Sequence, residues 1–425
     1  MDSNIPEEWC YKCLGEIANI YNGNSINAKI KEEKYMSACD GWNYIATKDI
    51  GFDCSVDYAN GVRIPYSETG FKIAPKGSVL VCSEGGSAGR KSAYITQDVC
   101  FGNKLYAITN HKGLFDGKYV FYFTRYRRFF ESFKAQMNGI IGGVSVKKFG
   151  QILIPFPSIS EQKRIVAKIE ELFSELDKGV EALQKVKMQL KLYRQAVLKD
   201  AFEGKLTNDT PVKKCLLKEY IENPRYGTSK KCTYEVSKNS VAVYRIPNID
   251  YKRGVIDHND IKYATFLDNE LDSLRLNSND ILIIRSNGSI SIVGRASLVK
   301  ETDINGIFAG YLMRLRIRDQ RELQSKYLLY FLSSHEARTY IENVAKSTSG
   351  VNNINSQEIG KLPLPIFPYE TQMEIISAIE SRLSICDKIE QIIDDSLLKA
   401  ESMRQSILQM AFEGKMVSHE EEINV

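Results

Sequence analysis

Apolar side chains recur at steps of three and four over two long stretches of the chain. In the first they fall at Ile165, Ile169, Leu172, Leu176, Val180, Leu183, Val186, Leu190, Tyr193 and Val197. In the second they fall at Ile375, Ile379, Leu383, Cys386, Ile389, Ile393, Ala400, Met403, Ile407 and Met410. A mean step of about 3.5 is the seam of a coiled coil. Pro155, Pro157 and Pro368 stand just ahead of the two starts, where proline is tolerated, and Gly204 and Gly414 stand where a C-terminal cap belongs. The spacing predicts helices over Ile159–Lys205 and Tyr369–Val417, each roughly 60–70 Å long at ~1.5 Å per residue. Alone, each would leave an apolar stripe in water, and the simplest cover for one is the other. A plain dimerisation coiled coil is the competing reading.

Between these stretches the pattern shortens. The runs Ser78–Cys82, Asp280–Ile284 and Leu312–Ile317 read as strands bounded by Gly, Asn and Ser turns, and Lys118–Ala135 and Lys326–Ala345 read as amphipathic helix. The fold class is therefore α/β: two mixed globular domains, Met1–Ser158 and Leu206–Pro368, separated by two long helices, with an acidic tail at Ser418–Val425. The two halves are copies. Residues 154–205 align with 364–415 at a constant offset of 210 without a gap, from Pro155 and Pro365, through Gln162 and Gln372, to Ala201-Phe202-Glu203-Gly204-Lys205 and Ala411-Phe412-Glu413-Gly414-Lys415. Upstream, the offset drifts from 202 (Lys12-Cys13-Leu14 on Lys214-Cys215-Leu216) to 208 (Lys118-Tyr119 on Lys326-Tyr327). Rigid length in one part and drift in the other separate a packed rod from a variable surface.

Charge sharpens this division. The globular parts carry net +4 and +5, the first helix +2, the second −4 and the tail −3. The basic parts favour an anionic partner, and the opposite signs of the helices suit their pairing. Nine scattered cysteines with one CxxC pair (Cys10, Cys13) and four histidines leave a structural zinc site short of ligands, so no metal is expected. No apolar run approaches the ~18–20 residues of a membrane span, and the polar start lacks a signal core. A cytoplasmic protein with reduced thiols and no membrane contact is the expectation.

The best contact candidates lie in two sets of polar turns. Gly85–Lys91 leaves a strand with exposed amides and two cations (Gly86, Ser87, Arg90, Lys91), and Arg285, Asn287, Ser289 and Arg295 follow the matching strand. Asn138 with its following glycines, and Asn352 and Asn353, form the second set. Arg63, Arg125, Arg127, Arg245 and Asn248 complete the DNA-binding candidates. Asn, Arg, Ser and Lys read base edges, and backbone amides suit phosphates. Catalysis has no visible equipment: the chain has no Pro-Pro for an amino-methyltransferase loop, no Gly-Lys-[Ser/Thr] phosphate loop and no spaced nucleophile and base. Glu203-x-Lys205 and Glu413-x-Lys415 look like half a nuclease site, but each stands at a helix end without an upstream Pro-Asp.

The doubled order of basic unit, Pro-Phe-Pro-x-x-x-Glu-Gln, long helix and Ala-Phe-x-Gly-Lys resembles the specificity subunits of type I restriction-modification enzymes. The carrying residues are Ile154–Pro157, Glu161-Gln162, Ile165-Val166 and Ala201–Leu206, with Pro365, Gln372 and Ala411–Lys415 in the second copy. The second copy departs at Thr371-Gln372 and places Arg382 opposite Leu172. The resemblance implies that each globular part reads one half of a bipartite site in double-stranded DNA. It implies antiparallel helices that set the spacer and dock two methyltransferase subunits. S-adenosylmethionine, ATP and magnesium would sit in partner subunits, two restriction subunits could join, and this chain would bind no cofactor and carry no catalysis. A DNA-binding scaffold without methyltransferase partners, or a nuclease using the Glu-x-Lys pairs, are the competing classes.

Overall fold

The computed structural model describes residues 5–36, 38–110, 113–137, 142–207, 209–211, 213–237, 239–348 and 350–416, so the acidic tail lies outside the described residues. Both long helices are present, at Ile159–Phe202 and Tyr369–Phe412, each of 44 residues. The backbone of Gly204 (φ 78°) and Gly414 (φ 69°) is left-handed, as a helix-ending glycine requires. A Cβ at Gly204 would lie 1.7 Å from the Asp209 carbonyl, and one at Gly414 would strike Pro6.

The chain divides into two compact units, and neither is one sequence repeat. The first comprises Met1–Leu183 with Asp394–Val425, the second Gln184–Ile393. Each therefore holds one globular part, the start of the helix that follows it and the end of the other helix.

In the first unit Ile165, Val166, Ile169 and Phe173 share a core with Ile407, Leu408, Ala411 and Phe412, along with Tyr119, Phe123 and Phe129 of the globular part. The Phe412 ring lies 5.1 Å from Tyr119 and stacks on Tyr126 at 5.6 Å. Arg404 pairs with Asp177 and lies 5.1 Å over the Phe173 ring. In the second unit Val197, Leu198, Ala201 and Phe202 share a core with Ile375, Ile376 and Ile379. Phe202 lies 5.2 Å from Tyr327 and 5.0 Å from Phe331. Arg194 reaches Asp387 at 2.7 Å and Glu390 at 3.1 Å. In both units residue numbers rise on one helix as they fall on the other, so the paired segments run antiparallel. At the 210 offset, Asp177–Arg404 is the same pair as Asp387–Arg194 with the helices exchanged.

The seam follows this pairing. Ile165, Ile169, Leu190, Ile375, Ile379, Ile393 and Ile407 are buried, and Leu172, Leu176, Leu183 and Leu383 are half-buried. Met403 is a correction: it is 53 % exposed, and Val186, Tyr193, Ile389 and Met410 also face out. A straight helix turns every 3.6 residues, so the buried line drifts from a strict 3.5 repeat. Toward the C-terminal ends it passes through the half-buried Arg194 and Arg404.

The first globular part has two four-stranded sheets. One runs Asn19–Asn22, Leu105–Thr109, Val79–Cys82, Ser92–Tyr94, all antiparallel; the other runs Arg63–Ile64, Trp42–Ile45, Val99–Phe101, Ile73–Ala74. The second has a six-stranded sheet around Ile281–Ile284 and a three-stranded sheet around Ser240–Tyr244. Each amphipathic stretch is two helices. Gly117–Arg125 breaks at Tyr126, whose backbone is extended, before Arg127–Ala135, and Ser325–Leu332 breaks before His335–Val344, capped by Ser334. A further antiparallel pair closes each part on its own helix: Cys10–Cys13 with Leu153–Phe156, and Lys213–Leu216 with Pro363–Ile366. Here the register corrects the alignment. Leu14 donates to the Ile152 carbonyl as Leu217 does to Leu362, so the true offset is 203, and the shared Lys-Cys-Leu letters sit one residue out of step.

Candidate nucleic-acid interface

The two sets of polar turns meet in both units. In the first, Glu84 bridges Gly143, Gly85 N–H donates to the Gly142 carbonyl at 3.3 Å, and Val144 N–H donates to Ser83 at 3.2 Å. Gly85 and Gly89 are left-handed, and a Cβ at Gly89 would lie 2.5 Å from the Phe133 ring. In the second, Ser286–Asn287 pairs with Val351–Asn353, which pairs back on Lys346–Thr348. The Asn352 amide donates to the Gly288 carbonyl at 3.0 Å, fastening the hairpin to the turn. Asn287 Oδ1 accepts from Ser289 N–H at 2.8 Å, and the Ser289 and Ser291 hydroxyls lie 2.9 Å apart.

Cations flank each turn. Arg90 lies 6.0 Å over Phe130, and Lys91 lies 4.9 Å over Phe52. Arg285 lies 4.5 Å over Tyr226 and donates to the Gly310 carbonyl at 3.1 Å. Its Nε and the Asn353 Oδ1 are buried without a partner among the described residues, an arrangement that costs energy until something bonds them. Arg295 lies 5.3 Å over Tyr251 and donates from Nε to the Ser291 carbonyl at 3.2 Å. Burial, then the adjacent Arg338 guanidinium, pull the Arg295 guanidinium below its ordinary range. Gly86 and Ser87 lie in the first turn, with open space where a Gly86 Cβ would be; the Ser87 carbonyl accepts from Arg90 and Lys91.

Other candidates lie elsewhere. Asn248 is a correction: it is 1 % exposed, its Oδ1 caps Arg245 N–H at 2.8 Å and its amide is spent on the Asp257 and Asp260 carbonyls. Arg245 is bound to Asp260 at 2.8 Å. These residues build a turn that recurs in the first unit, where Asp49 caps Ala46. Arg63 lies on the second sheet of its part, 3.4 Å from the Cys39 carbonyl. Arg125 and Arg127 meet the end of the second helix through their backbone, the Arg125 carbonyl and Arg127 N–H bonding Gln405, while the Arg125 guanidinium lies 5.9 Å over Phe121 and Arg127 pairs with Glu131 at 2.8 Å. Asn138 lies outside the described residues.

Lys205 pairs with Glu203 at 2.5 Å and Lys415 with Glu413 at 2.7 Å, each closing its own cap. Among the described residues no cluster of His, Cys, Asp and Glu could hold a metal ion. None of their helices is long and apolar enough to cross a membrane.

Residues 6–187 match the type I restriction modification DNA specificity domain. The chain is 30 % identical over 364 residues to the specificity subunit of the type I restriction enzyme EcoKI of Escherichia coli (strain K12), covering 82 % of this chain and 76 % of that one. The chain belongs to the type I restriction enzyme specificity subunits. A second member, the StySPI specificity subunit of Salmonella potsdam, is 30 % identical over 429 residues, or 97 % of this chain and 90 % of that one. The fold agrees with that of a chain from a solved type I restriction-modification system (TM-score 0.75, 18 % identity, 97 % and 99 % covered). It also agrees with the HsdS subunit of Thermoanaerobacter tengcongensis (TM-score 0.58, 16 % identity, 97 % and 98 % covered).

Two features of this specificity subunit escaped the sequence. Phe52, Tyr226 and Tyr251 were not singled out as cation platforms; the signal was positional, since Phe52 and Tyr251 each stand three residues past a capping Asp49 or Asn248. The matched glutamines were seen without their role. Gln162 accepts from Asp116 N–H at 2.9 Å and donates to Pro157 at 3.0 Å, while Gln372 accepts from Gln324 N–H and donates to Phe367, both at 2.9 Å.

Proposed function

We propose that each unit reads one half of a bipartite site in double-stranded DNA, that the paired helices set the spacer, and that methyltransferase subunits dock on this chain and supply the chemistry. The observation that carries this reading is the meeting of the two polar turn sets in both units, with different side chains on one scaffold. The first unit presents a glycine turn; the second presents a two-stranded ribbon, Lys346–Thr348 and Val351–Asn353, an element the major groove admits. Equal scaffolds with unequal tips suit two half-sites of different sequence.

Docking has its own support. In the second unit Met188, Leu192, Ile385 and Ile392 are exposed on the helices, and in the first Leu398 and Met403. Large apolar residues on a helix surface are what a lasting partner covers. S-adenosylmethionine, and ATP with magnesium if restriction subunits join, belong to those partners; this chain contributes recognition and scaffold in the cytoplasm.

The test is exchange of Leu206–Pro368 for the matching domain of another specificity subunit, followed by methylome sequencing of cells that express the chimera with its methyltransferase. One half-site changes and the other stays. Methylation lost from an otherwise folded complex, or both half-sites altered, contradicts the reading.

A further inference from the structure

One pair of side chains recurs in both units at the same place in the fold. Lys91 and Arg295 each stand just ahead of the strand that pairs with the central strand: Cys82 N–H donates to the Lys91 carbonyl at 2.9 Å, and Ile284 N–H to the Arg295 carbonyl at 2.8 Å. Each follows a left-handed glycine turn, at Gly89 and Gly294. Each cation lies over an aromatic ring three residues past a capped turn, Phe52 or Tyr251. Neither has a carboxylate within 4 Å among the described residues. Among the described residues Lys91 Nζ hydrogen-bonds the Thr47 carbonyl, at 3.4 Å, and Arg295 Nε the Ser291 carbonyl.

We infer that Lys91 and Arg295 each hold a backbone phosphate of bound DNA, one in each unit, and so place the duplex without reading its sequence. This rests on the half-site reading above. A half-buried cation beside a second guanidinium, Arg338, is costly, and the Glu342 carboxylate that offsets part of this is already paired with Arg338 at 3.0 Å. What the two copies share is a positive charge on a fixed platform, not the fork of a guanidinium. A phosphate needs only that charge; a lysine can also reach guanine O6 and N7, so duplexes with and without the motif must separate the two roles. The tips that differ between the copies, Gly86-Ser87 and Asn287-Gly288-Ser289, are free to differ because register on the duplex is held elsewhere.

The experiment measures binding of the full chain, with the methyltransferase it co-purifies with, to two duplexes of equal length across a salt series. One duplex carries the methylated motif and the other lacks it. For Lys91→Ala and for Arg295→Ala, affinity falls by the same factor on both duplexes, and the slope of log K against log salt drops by about one unit per variant. Lys91→Arg and Arg295→Lys, which keep the charge, keep the slope; a melting curve for each variant shows that it is folded. Loss confined to the motif duplex overturns the inference in favour of base reading, and an unchanged slope overturns it in favour of a purely structural clamp. A wild-type chain that binds neither duplex would instead refute the half-site reading itself.

Discussion

Tyr119 in the first unit and Tyr327 in the second both donate to the carbonyl of the proline ahead of a long helix, at 2.9 Å in each case. Lys118 meets Glu170 at 2.6 Å, and Lys326 meets Glu380 at 2.8 Å. The likeness ends at the turns, where the first unit has glycines and the second a ribbon. It also ends on the outer face of the helices: Ile385, Ile389 and Ile392 are exposed in the second unit, while the positions 210 earlier are Glu175, Gly179 and Ala182. The machinery that grips the helices is thus duplicated faithfully, and the surfaces offered to partners are not. A gripping site must fit a fixed helix end, and any change leaves a cavity or an unpaired polar group. A surface answers only to what binds it.

The crossed grip gives the largest expected effect. Phe202→Ala should remove about 3–5 kcal/mol and loosen the second globular part, although Phe202 follows the first in sequence. Phe412→Ala should loosen the first. Hydrogen exchange of both variants checks this, and loosening of the preceding part instead would break the comparison. Gln162→Ala and Gln372→Ala each strand buried backbone groups, so each should cost about 1–3 kcal/mol in denaturant melts, Gln372→Ala the more because its amide also bonds the Glu322 carbonyl at 2.8 Å. If two methyltransferase subunits dock as proposed, Ile385→Asp with Ile392→Asp weakens one docking event and spares the other, seen as a shift toward a one-to-one complex in sedimentation. Arg194→Ala and Arg404→Ala remove partly exposed pairs and should each cost under about 1 kcal/mol, less at high salt.

The sequence made the rods legible because a helix repeats its pattern over many turns, and the gapless 210 offset marked both copies. It could not show that Phe202 serves the other globular part, because periodicity along one helix says nothing about which distant surface it meets. The turn sets were found from glycine and asparagine, which mark turns directly. Asn248 was misjudged for the same reason: an asparagine that caps a turn from inside carries the same letter as one that faces solvent. Arg245 lost its candidacy to Asp260, a residue far enough along the chain that spacing gave no hint.

The proposal that the paired helices set the spacer has a direct test. Each unit contains parts of both helices, so its internal register survives only if both are lengthened alike. One heptad inserted after Leu183 and one after Ile393, at the borders of the units, does this with little rotation of the seam. Methylome sequencing with that chain should return both half-sites unaltered around a longer spacer. The same spacer as the parent, or a changed half-site, would contradict the account.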